Sequence, residues 1–272
     1  MTTRSAVRVR RRLVGKPNGA AGERTVPQET PVAFTYDRRT YAVMMASPDD
    51  LEDFAVGFSF NERIIGGATD ILELEAVELP KGIELRMMLA QSRNAQLESR
   101  ARRFAGPAGC GLCGIESLDA AIEPPPNIRT PLIVDSETIF HAMRSLRDHQ
   151  PVNAQTHGVH AAGFWSLARN GFTAVREDVG RHNALDKLTG ALLRAGISPA
   201  SGFVVLTSRV SIELVQKCAV LGSPLLVAIS VPTALALKTA EEAGLTLAAV
   251  ARDDSFEVFT HPERIRVAAH VA

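Results

Sequence analysis

Hydrophobic and polar residues follow two different rhythms in this chain of 272 residues. Up to about residue 105, short stretches alternate between apolar and polar side chains, as in "ILELEAVELPKGIELRMML". Such alternation is typical of β-strands with one buried face. After Gly196 the apolar stretches become almost continuous, as in "GFVVLT" and "LLVAIS", and helix-like segments separate them. Continuous runs are typical of parallel strands that are covered on both faces. The change predicts two structural units of different type.

The first unit is predicted to combine strands with helices. The segment "PVAFTYDRRTYAVMMA" predicts two strands around a turn at residues 37–39, and the hairpin quoted above turns at residues 80–82. Between them, Ser47 and Pro48 precede apolar residues at helical spacing, so we expect a helix with Ser47 as its cap. Residues 91–104 predict another helix. The first unit is therefore a small α+β domain.

The second unit is predicted to be an α/β layer structure. Residues 135–150 favour a helix, and two strands meet at Asn170 and Gly171, a dipeptide that favours tight hairpins. A helix follows over residues 183–195. Three apolar strands then alternate with helices at residues 211–221 and 233–243. This alternation predicts a parallel sheet covered by helices.

These patterns divide the chain into four segments. Residues 1–27 contain a cluster of arginines followed by a Gly/Asn/Pro patch, so we expect a flexible basic tail. Residues 28–105 form the predicted N-terminal α+β domain, and residues 131–272 form the predicted α/β domain. Between them, residues 106–130 contain "GCGLCG" and "EPPPNIRTP", which favour neither a strand nor a helix. We predict a mobile loop and linker there.

Composition and charge exclude several classes of function. The chain is 46% hydrophobic and 22% charged, as in soluble globular proteins. Its 30 basic residues balance its 30 acidic residues, so no net field favours a nucleic acid or a membrane surface. No apolar run approaches the roughly 20 residues of a membrane span, and the N-terminus lacks the apolar core of a signal peptide. We expect a cytoplasmic protein.

Polar segments follow the predicted parallel strands, where open α/β sheets bind their ligands. Arg209 and Arg252 could make bidentate contacts to phosphate, and Asp253 or Asp254 could accept hydrogen bonds from guanine. The alternative is that the serines and threonines cap helices while the arginines face solvent. No glycine-rich nucleotide fingerprint or Walker loop occurs in the sequence. The three segments are residues 207–209, 230–233 and 252–255.

Two thiols, Cys110 and Cys113, lie three residues apart among glycines, and three chemistries compete for them. Structural zinc needs four ligands, but the remaining cysteine, Cys218, lies in an apolar helical segment where it is expected to be a small buried hydrophobe. A thioredoxin-like dithiol normally follows a strand at a helix start, and no such context is predicted here. A sulfur carrier would hold sulfur as a persulfide on a mobile loop, and a second thiol would assist its discharge. The motif alone does not choose among them.

Several segments together resemble one family, the FdhD proteins, which are formate dehydrogenase accessory sulfurtransferases. The longest is "REDVGRHNALDK", and its occurrence together with "GCGLCG" is specific. The resemblance covers about residues 30–265. The other matching segments are "SPDDLEDFAVGF", "GVHAAGF", "TSRVSIELVQKC", "LLVAISVPTALAL", "GLTLAAVAR" and "HPERI".

The resemblance implies a cytoplasmic sulfurtransferase that moves sulfur from a cysteine desulfurase to the molybdenum cofactor that formate dehydrogenase requires. That acceptor is Mo-bis(molybdopterin guanine dinucleotide), and GDP is its expected analogue. The resemblance also implies a homodimer and a second domain with a cytidine-deaminase-like three-layer α/β fold. Cys110 would carry the persulfide with help from Cys113. The implied cofactor-binding residues are Val250, Ala251, Arg252, Asp253, Asp254 and Ser255, and the strand-end residues Thr207, Ser208 and Arg209 are predicted to join them.

The chain departs from the family pattern at a few positions. His157 stands where the family usually has glycine, and Val231 where alanine is usual. Asp253 and Asp254 add negative charge beside a polyanionic ligand. In "REDVGRHNALDK", His182 is predicted either to shuttle protons or to hold the helix start through Asp178. No His-x-Glu followed by Pro-Cys-x-x-Cys is present, so zinc-dependent deamination is not expected.

Two hypotheses of function remain open on the sequence. The first is a sulfur carrier that also binds the cofactor. The second is a non-catalytic chaperone that binds the cofactor and passes it on, with the thiols serving only as metal or redox ligands. No structural metal is expected under the first.

Overall fold

The computed structural model describes residues 4–15, 21–90 and 124–267, and they form a mixed α/β protein with several sheets. The predicted helix at residues 91–104 lies outside the described residues. No helix within the described ranges is long and apolar enough to cross a membrane. The likeness of the second unit to cytidine deaminases stays a prediction.

The N-terminal segment is a β-hairpin rather than the flexible tail that we predicted. Strand β1 (Ala6–Arg12) pairs antiparallel with β2 (Ala21–Pro27), from Ala6 opposite Pro27 to Arg12 opposite Ala21. The reason is that Val7 and Val9 alternate with Arg8 and Arg10, which is the spacing of a strand, so these two arginines occupy one face of the hairpin.

The first unit has a four-stranded sheet with one helix on its buried face. The sheet has the order β4-β3-β6-β5, and both predicted hairpins are confirmed. Helix α1 lays Phe54 and Phe58 against Phe34, with ring centroids 4.9 and 4.1 Å away. The elements are β3 (Thr30–Tyr36), β4 (Arg39–Ala46), α1 (Leu51–Asn61), β5 (Ile71–Leu79) and β6 (Gly82–Leu89).

Ser47 does not cap α1, which corrects our prediction. The capping position is Asp50, in the left-handed conformation with φ 55°, and its side chain makes no capping hydrogen bond. The hydroxyl oxygen of Ser47 instead accepts from the N–H of Val179 at 3.1 Å. Its N–H donates to Asp178 at 2.9 Å. A contact between the two units has therefore replaced the local cap.

The second unit has a six-stranded sheet in the order β13-β12-β11-β10-β8-β9. The predicted parallel arrangement of β10, β11 and β12 is confirmed, and so is the hairpin of β8 and β9. Strands β8 and β13 pair antiparallel on either side of the parallel set. The strands are β8 (His160–Ser166), β9 (Gly171–Asp178), β10 (Gly202–Leu206), β11 (Leu225–Ala228), β12 (Thr246–Ala249) and β13 (Glu257–Thr260).

Helices cover both faces of this sheet. On one face the buried cluster includes Leu185, Leu214 and Ala240, from α4 (Arg181–Arg194), α5 (Ile212–Leu221) and α6 (Ala234–Ala243). On the other face α2 (Ser136–Ser145) contributes Ile139 and Met143. The long helix predicted over residues 135–150 is shorter in the structure, because a 3-10 turn at Leu146–His149 and the short helix α3 (Pro151–Thr156) follow α2. A small parallel pair joins β7 (Val134–Asp135) to β14 (Ile265–Arg266).

The two units meet along α1 and α4, whose backbones touch at two glycines. A Cβ atom on Gly57 would lie 1.7 Å from the carbonyl oxygen of Asp186, and one on Gly190 would lie 1.9 Å from that of Asp53. No other residue allows this approach, because both distances are far below van der Waals contact. The predicted boundary between two domains is thus also a close helix–helix contact.

Candidate functional site

The two thiols that carry the predicted sulfur chemistry, Cys110 and Cys113, lie outside the described residues, so their role stays a prediction. The third cysteine is described: Cys218 is fully buried and free. Burial raises the pKa of its thiol to about 12. It is therefore the small buried hydrophobe that the sequence predicts, because only the thiolate is a good nucleophile or metal ligand.

The structure brings the three predicted strand-end segments together at one edge of the six-stranded sheet. Backbone hydrogen bonds continue the parallel ladder past the strands: the N–H of Ile229 donates to Leu206, and that of Ala251 donates to Ala228. Val210 and Pro232 form a further parallel bridge. The carboxyl ends of β10, β11 and β12 therefore lie side by side, as a ligand site in an open sheet requires.

The segment after β12 forms one wall of a cleft of about 660 Å³. It leaves the strand through Val250, which has a left-handed φ of 55°, and it closes by a hydrogen bond from the N–H of Arg252 to Ser255 at 2.7 Å. Cavities of a few hundred Å³ or more are the usual size of nucleotide and cofactor sites. The lining residues are Met143, Leu146, Arg147, Gln150, Ile229, Ala251, Arg252, Asp253 and Asp254.

Charges in this cleft are mixed. The guanidinium of Arg252 donates to the carbonyl oxygen of Ile229 at 2.7 Å, so a carbonyl rather than a carboxylate holds its orientation. The carboxylate of Asp253 lies 3.7 Å from the guanidinium of Arg147, and Arg144 donates to the carbonyl oxygen of Asp253 at 3.2 Å. Asp254 accepts from the hydroxyl of Ser255 at 3.1 Å. Two arginines at the rim fit a phosphorylated ligand, while the aspartates oppose it.

Thr207, Ser208 and Arg209 do not form a common phosphate cradle. The hydroxyl oxygen of Thr207 accepts from the N–H of Ala161 at 2.8 Å and so ties β10 to the start of β8. Ser208 is buried and its hydroxyl donates to the carbonyl oxygen of Arg209 at 3.2 Å. The side chain of Arg209 is exposed. Thr207 and Ser208 therefore hold the backbone, and Arg209 is the exposed side chain among the three predicted residues.

Most polar residues of "REDVGRHNALDK" hold the two units together. Lys187 and Asp178 are both fully buried, and their charged atoms lie 2.7 Å apart. Lys187 also donates to the carbonyl oxygen of Ser47 at 2.8 Å. Asp53 of α1 lies 2.7 Å from Arg176 and 2.6 Å from Arg194. A buried charge is tolerated when it is paired and hydrogen-bonded, as here. This part of the motif is structural.

His182 is not held by Asp178, which corrects one of our two alternatives for it. Asp178 accepts instead from the N–H of Gly180 at 2.8 Å and from the side chain of Asn183 at 2.9 Å. The Nε2 atom of His182 faces Glu213 Oε2 at 4.0 Å, beyond hydrogen-bonding distance. Burial, together with the positive charges of Lys217 and Arg181 and with His160, lowers the pKa of His182 to about 3. The imidazole is neutral at neutral pH.

Sequence reasoning missed Glu213, Arg181 and Ser211, which lie at the starts of α4 and α5 with His182. Glu213 lies in the first turn of α5, and Ser211 precedes that helix. Buried side-chain atoms of all three lack a hydrogen-bond partner among the described residues. The segment "TSRVSIELVQKC" contained a signal, because it places a serine and a glutamate around a helix start. Spacing alone did not show that Glu213 lies beside His182.

One departure from the family pattern has a clear structural cost. His157 ends α3 in the left-handed conformation, with φ 51° and ψ 34°. Glycine adopts this conformation without the strain that a side chain brings, so His157 carries a backbone cost at this position. Among the described residues, no group of three or more His, Cys, Asp or Glu side chains could hold a metal ion.

Known proteins resemble this chain over nearly its whole length. A sulfur carrier protein FdhD from Agrobacterium fabrum is 51% identical over 259 residues, which cover 95% of each chain. Another, from Xanthomonas axonopodis pv. citri, is 47% identical over 261 residues, covering 96% of this chain and 92% of the relative. A crystal structure of a provisionally assigned formate dehydrogenase accessory protein from Desulfotalea psychrophila matches with a TM-score of 0.75 and 27% identity, over 96% of this chain and 99% of that one.

The sequence model of one family matches residues 27–266, which include the four-stranded and six-stranded sheets, the strand-end cleft and the segment with the two thiols. The family resemblance that the motifs predicted is thereby confirmed: this chain belongs to the FdhD/NarQ family.

Proposed function

We propose that this protein is a sulfur carrier that serves the maturation of formate dehydrogenase. The observation that carries the proposal is the family match over residues 27–266, together with relatives of about half-identical sequence that are named sulfur carrier proteins. The related crystal structure, of a formate dehydrogenase accessory protein by assignment, supports the link to that enzyme. The protein acts in the cytoplasm as a homodimer.

In this proposal Cys110 takes a sulfane sulfur from a cysteine desulfurase. The thiolate of Cys110 attacks the outer sulfur of the donor's persulfide, the donor's S–S bond breaks, and the donor leaves as a thiolate. Cys113 then assists discharge. Its thiolate attacks the inner sulfur of the Cys110 persulfide, the S–S bond of that persulfide breaks, and the outer sulfur leaves as hydrosulfide for the acceptor while a Cys110–Cys113 disulfide forms. Flanking glycines favour a backbone that can reach two partners in turn.

The acceptor in this proposal is Mo-bis(molybdopterin guanine dinucleotide), bound as a substrate at the carboxyl ends of the strands. The cleft beside Val250–Ser255 supports the assignment by its volume of about 660 Å³ and by Arg147 and Arg252 at its rim. Arg209 adds an exposed third cation at the end of β10, which is separated from β12 by β11. The pairing of Asp253 with Arg147 reduces the repulsion that this aspartate would exert on a phosphate.

Sulfur loading tests the carrier role. The protein is incubated with a cysteine desulfurase and cysteine, and the peptide that contains residues 109–114 is weighed by mass spectrometry. We expect a gain of one sulfur atom, which Cys110→Ala abolishes while folding and nucleotide binding persist; Cys218→Ala is the matched control, because that buried thiol should not react. A wild-type peptide that gains only zinc or an internal disulfide would instead support the non-catalytic chaperone.

Thermal melting tests the cofactor site independently of the thiols. We expect GDP to raise the melting temperature more than ADP does, since a ligand that binds only the folded state stabilises it. Arg252→Gln should reduce the GDP shift, and the exposed Arg169→Gln in the turn between β8 and β9 should leave it unchanged. Equal shifts with GDP and ADP would contradict recognition of guanine.

A further inference from the structure

Two polar residues of the 176–187 segment remain without the structural role that their neighbours have. The Nε atom of Arg181 and the Nε2 atom of His182 are buried and have no hydrogen-bond partner among the described residues. Both residues begin α4. The residues of the same segment that do have partners are Arg176, Glu177, Asp178, Asn183, Asp186 and Lys187.

The start of α5 faces this turn and adds two more such atoms. Ser211 Oγ and Glu213 Oε2 are also buried without a partner among the residues that the structure describes. The helices are in contact here, because Glu213 Oε2 lies 4.0 Å from His182 Nε2. Buried polar groups in native proteins nearly always have partners. Four exceptions at two adjoining helix starts indicate a missing ligand.

Ser211 differs from Thr233, the cap of the neighbouring helix. Ser211 is 9% exposed, and it occupies the capping position of the ten-residue helix α5 without hydrogen-bonding the helix. Thr233, in the corresponding position of α6, accepts from the N–H of Ala236 at 3.2 Å. The hydroxyl of Ser211 is therefore free to contact a group bound at the N-terminus of α5.

Charges around the helix starts favour an anion. Burial lowers the pKa of both His182 and His160, and Arg181 lowers each further because it disfavours a second positive charge nearby. Lys217 acts on His182 in the same way. The N-termini of α4 and α5 add the positive ends of two helix dipoles. The side chains of His182 and Glu213 keep 12% and 13% of their surface exposed, so the cluster reaches solvent.

We propose that the first turns of α4 and α5 form a second ligand site, in which Arg181, Ser211 and His182 bind an oxyanion of the phosphate type. The site lies on the face of the six-stranded sheet that carries α4, α5 and α6, whereas the Val250–Ser255 cleft lies on the face that carries α2. The anion is free inorganic phosphate or a phosphate of a nucleotide. The second source rests on the proposed function, and the first does not.

Glu213 limits how strongly the site binds. Its carboxylate is the one acidic group placed within 4.0 Å of His182 among the described residues, and it repels an incoming anion. Removal of this charge should therefore strengthen phosphate binding, whereas removal of the Arg181 charge should weaken it. Opposite effects of two neighbouring substitutions are a signature that a merely structural cluster would not give.

Isothermal titration calorimetry on the full chain tests the site with inorganic phosphate as the probe. We expect Arg181→Gln to weaken phosphate binding about ten- to a hundredfold, since it removes a hydrogen bond between charged groups, and Ser211→Ala to weaken it about three- to tenfold. Glu213→Gln should tighten binding about three- to tenfold. Arg169→Gln, which removes the same charge from an exposed turn, should have no effect. A thermal melt of each variant confirms folding.

GDP and guanosine in the same experiment identify the source of the anion. If Arg181→Gln also weakens GDP, and guanosine does not bind this site, the ligand is a nucleotide phosphate; if GDP is unaffected, it is free phosphate. Absence of phosphate binding to the wild-type protein, or equal affinities in Arg181→Gln and Glu213→Gln, overturns the proposal. If the protein binds phosphate in this way but never gains sulfur, the phosphate site stands and the proposed sulfur-carrier function is refuted.

Discussion

His182 differs from its neighbours on α4, because they make hydrogen bonds to the first unit and, among the described residues, it makes none. Its neighbours Asn183, Asp186 and Lys187 point toward the first unit and are fully paired. His182 points instead toward α5 and is kept neutral by burial and by nearby positive charge. The sequence predicted that this histidine mattered, but four-residue spacing from Asp178 suggested the wrong partner, because the aspartate is saturated by other donors.

The lowered pKa of His182 predicts a specific dependence of stability on pH. Between about pH 6.5, the ordinary value of histidine, and about pH 3, where the folded protein takes up the proton, the unfolded state binds one proton more. Stability must therefore fall as the pH falls through this window, by at most about 1.4 kcal/mol for each pH unit.

Urea unfolding at pH 4, 5, 6 and 7 measures this contribution. We expect the free energy of unfolding of His182→Gln to depend less steeply on pH than that of the wild-type protein, because carboxylates that titrate in the same range are common to both. His149→Gln is a suitable control, since His149 is exposed. Identical slopes for His182→Gln and the wild-type protein would mean that His182 is not buried as a neutral imidazole.

The elements of the second unit were predicted more accurately than their caps. Apolar runs that are hidden on both faces identified β10, β11 and β12 and their parallel pairing. Caps depend on single hydrogen bonds that a distant partner can replace. Thr233 caps α6 with its side chain, whereas Ser47 and Ser211, which have equally suitable hydroxyls, do not cap α1 and α5.

This difference predicts opposite outcomes for two similar substitutions. Thr233→Ala should lower the free energy of unfolding by about 1 kcal/mol, which is typical of a lost N-cap. Ser211→Ala should change it by less than about 0.5 kcal/mol, because its hydroxyl forms no hydrogen bond among the described residues. Chemical denaturation of both variants checks the pair. A large loss in Ser211→Ala would show that its hydroxyl has a structural partner and would weaken the case for a ligand there.

The crossing of α1 and α4 makes a second prediction about elements. Gly190→Ala would place a methyl group 1.9 Å from a backbone oxygen of Asp53, so the helices must separate, at a cost of about 3 kcal/mol or more. Gly67→Ala is the control, because a Cβ added there would have no atom within 4 Å and its φ of −175° is ordinary extended backbone. Thermal melting should show a large loss for the first and almost none for the second.

The whole molecule joins two units that the sequence presented as separate domains. The hydrophobic periodicity changes between them, and because this change is visible in short stretches of sequence, it predicts the division into two units. The contacts that join them are not local: Asn61 donates to Asp186 at 2.6 Å, and Arg194 binds both Glu52 and Asp53 across more than 140 residues of chain. No spacing rule links residues so far apart. The joint between the units therefore had to come from the structure, and it explains most of the long motif.

Because buried charges of one unit find their partners in the other, we expect the two units to unfold together. Neither Lys187 nor Asp178 would keep its full set of partners if the first unit left, since both bind the backbone of Ser47, and an uncompensated buried charge costs about 3–5 kcal/mol. Differential scanning calorimetry should show one transition whose calorimetric and van't Hoff enthalpies agree. Asp53→Asn, which weakens the ion pairs to Arg176 and Arg194, should move this single transition to lower temperature. Asp148→Asn, which removes a charge from an exposed position of the 3-10 turn after α2, should move it less. Two resolved transitions would mean that the units unfold independently. So would a variant Asp53→Asn in which only part of the heat of unfolding moves to lower temperature. Either result would show that the α1–α4 contact does not couple the two units.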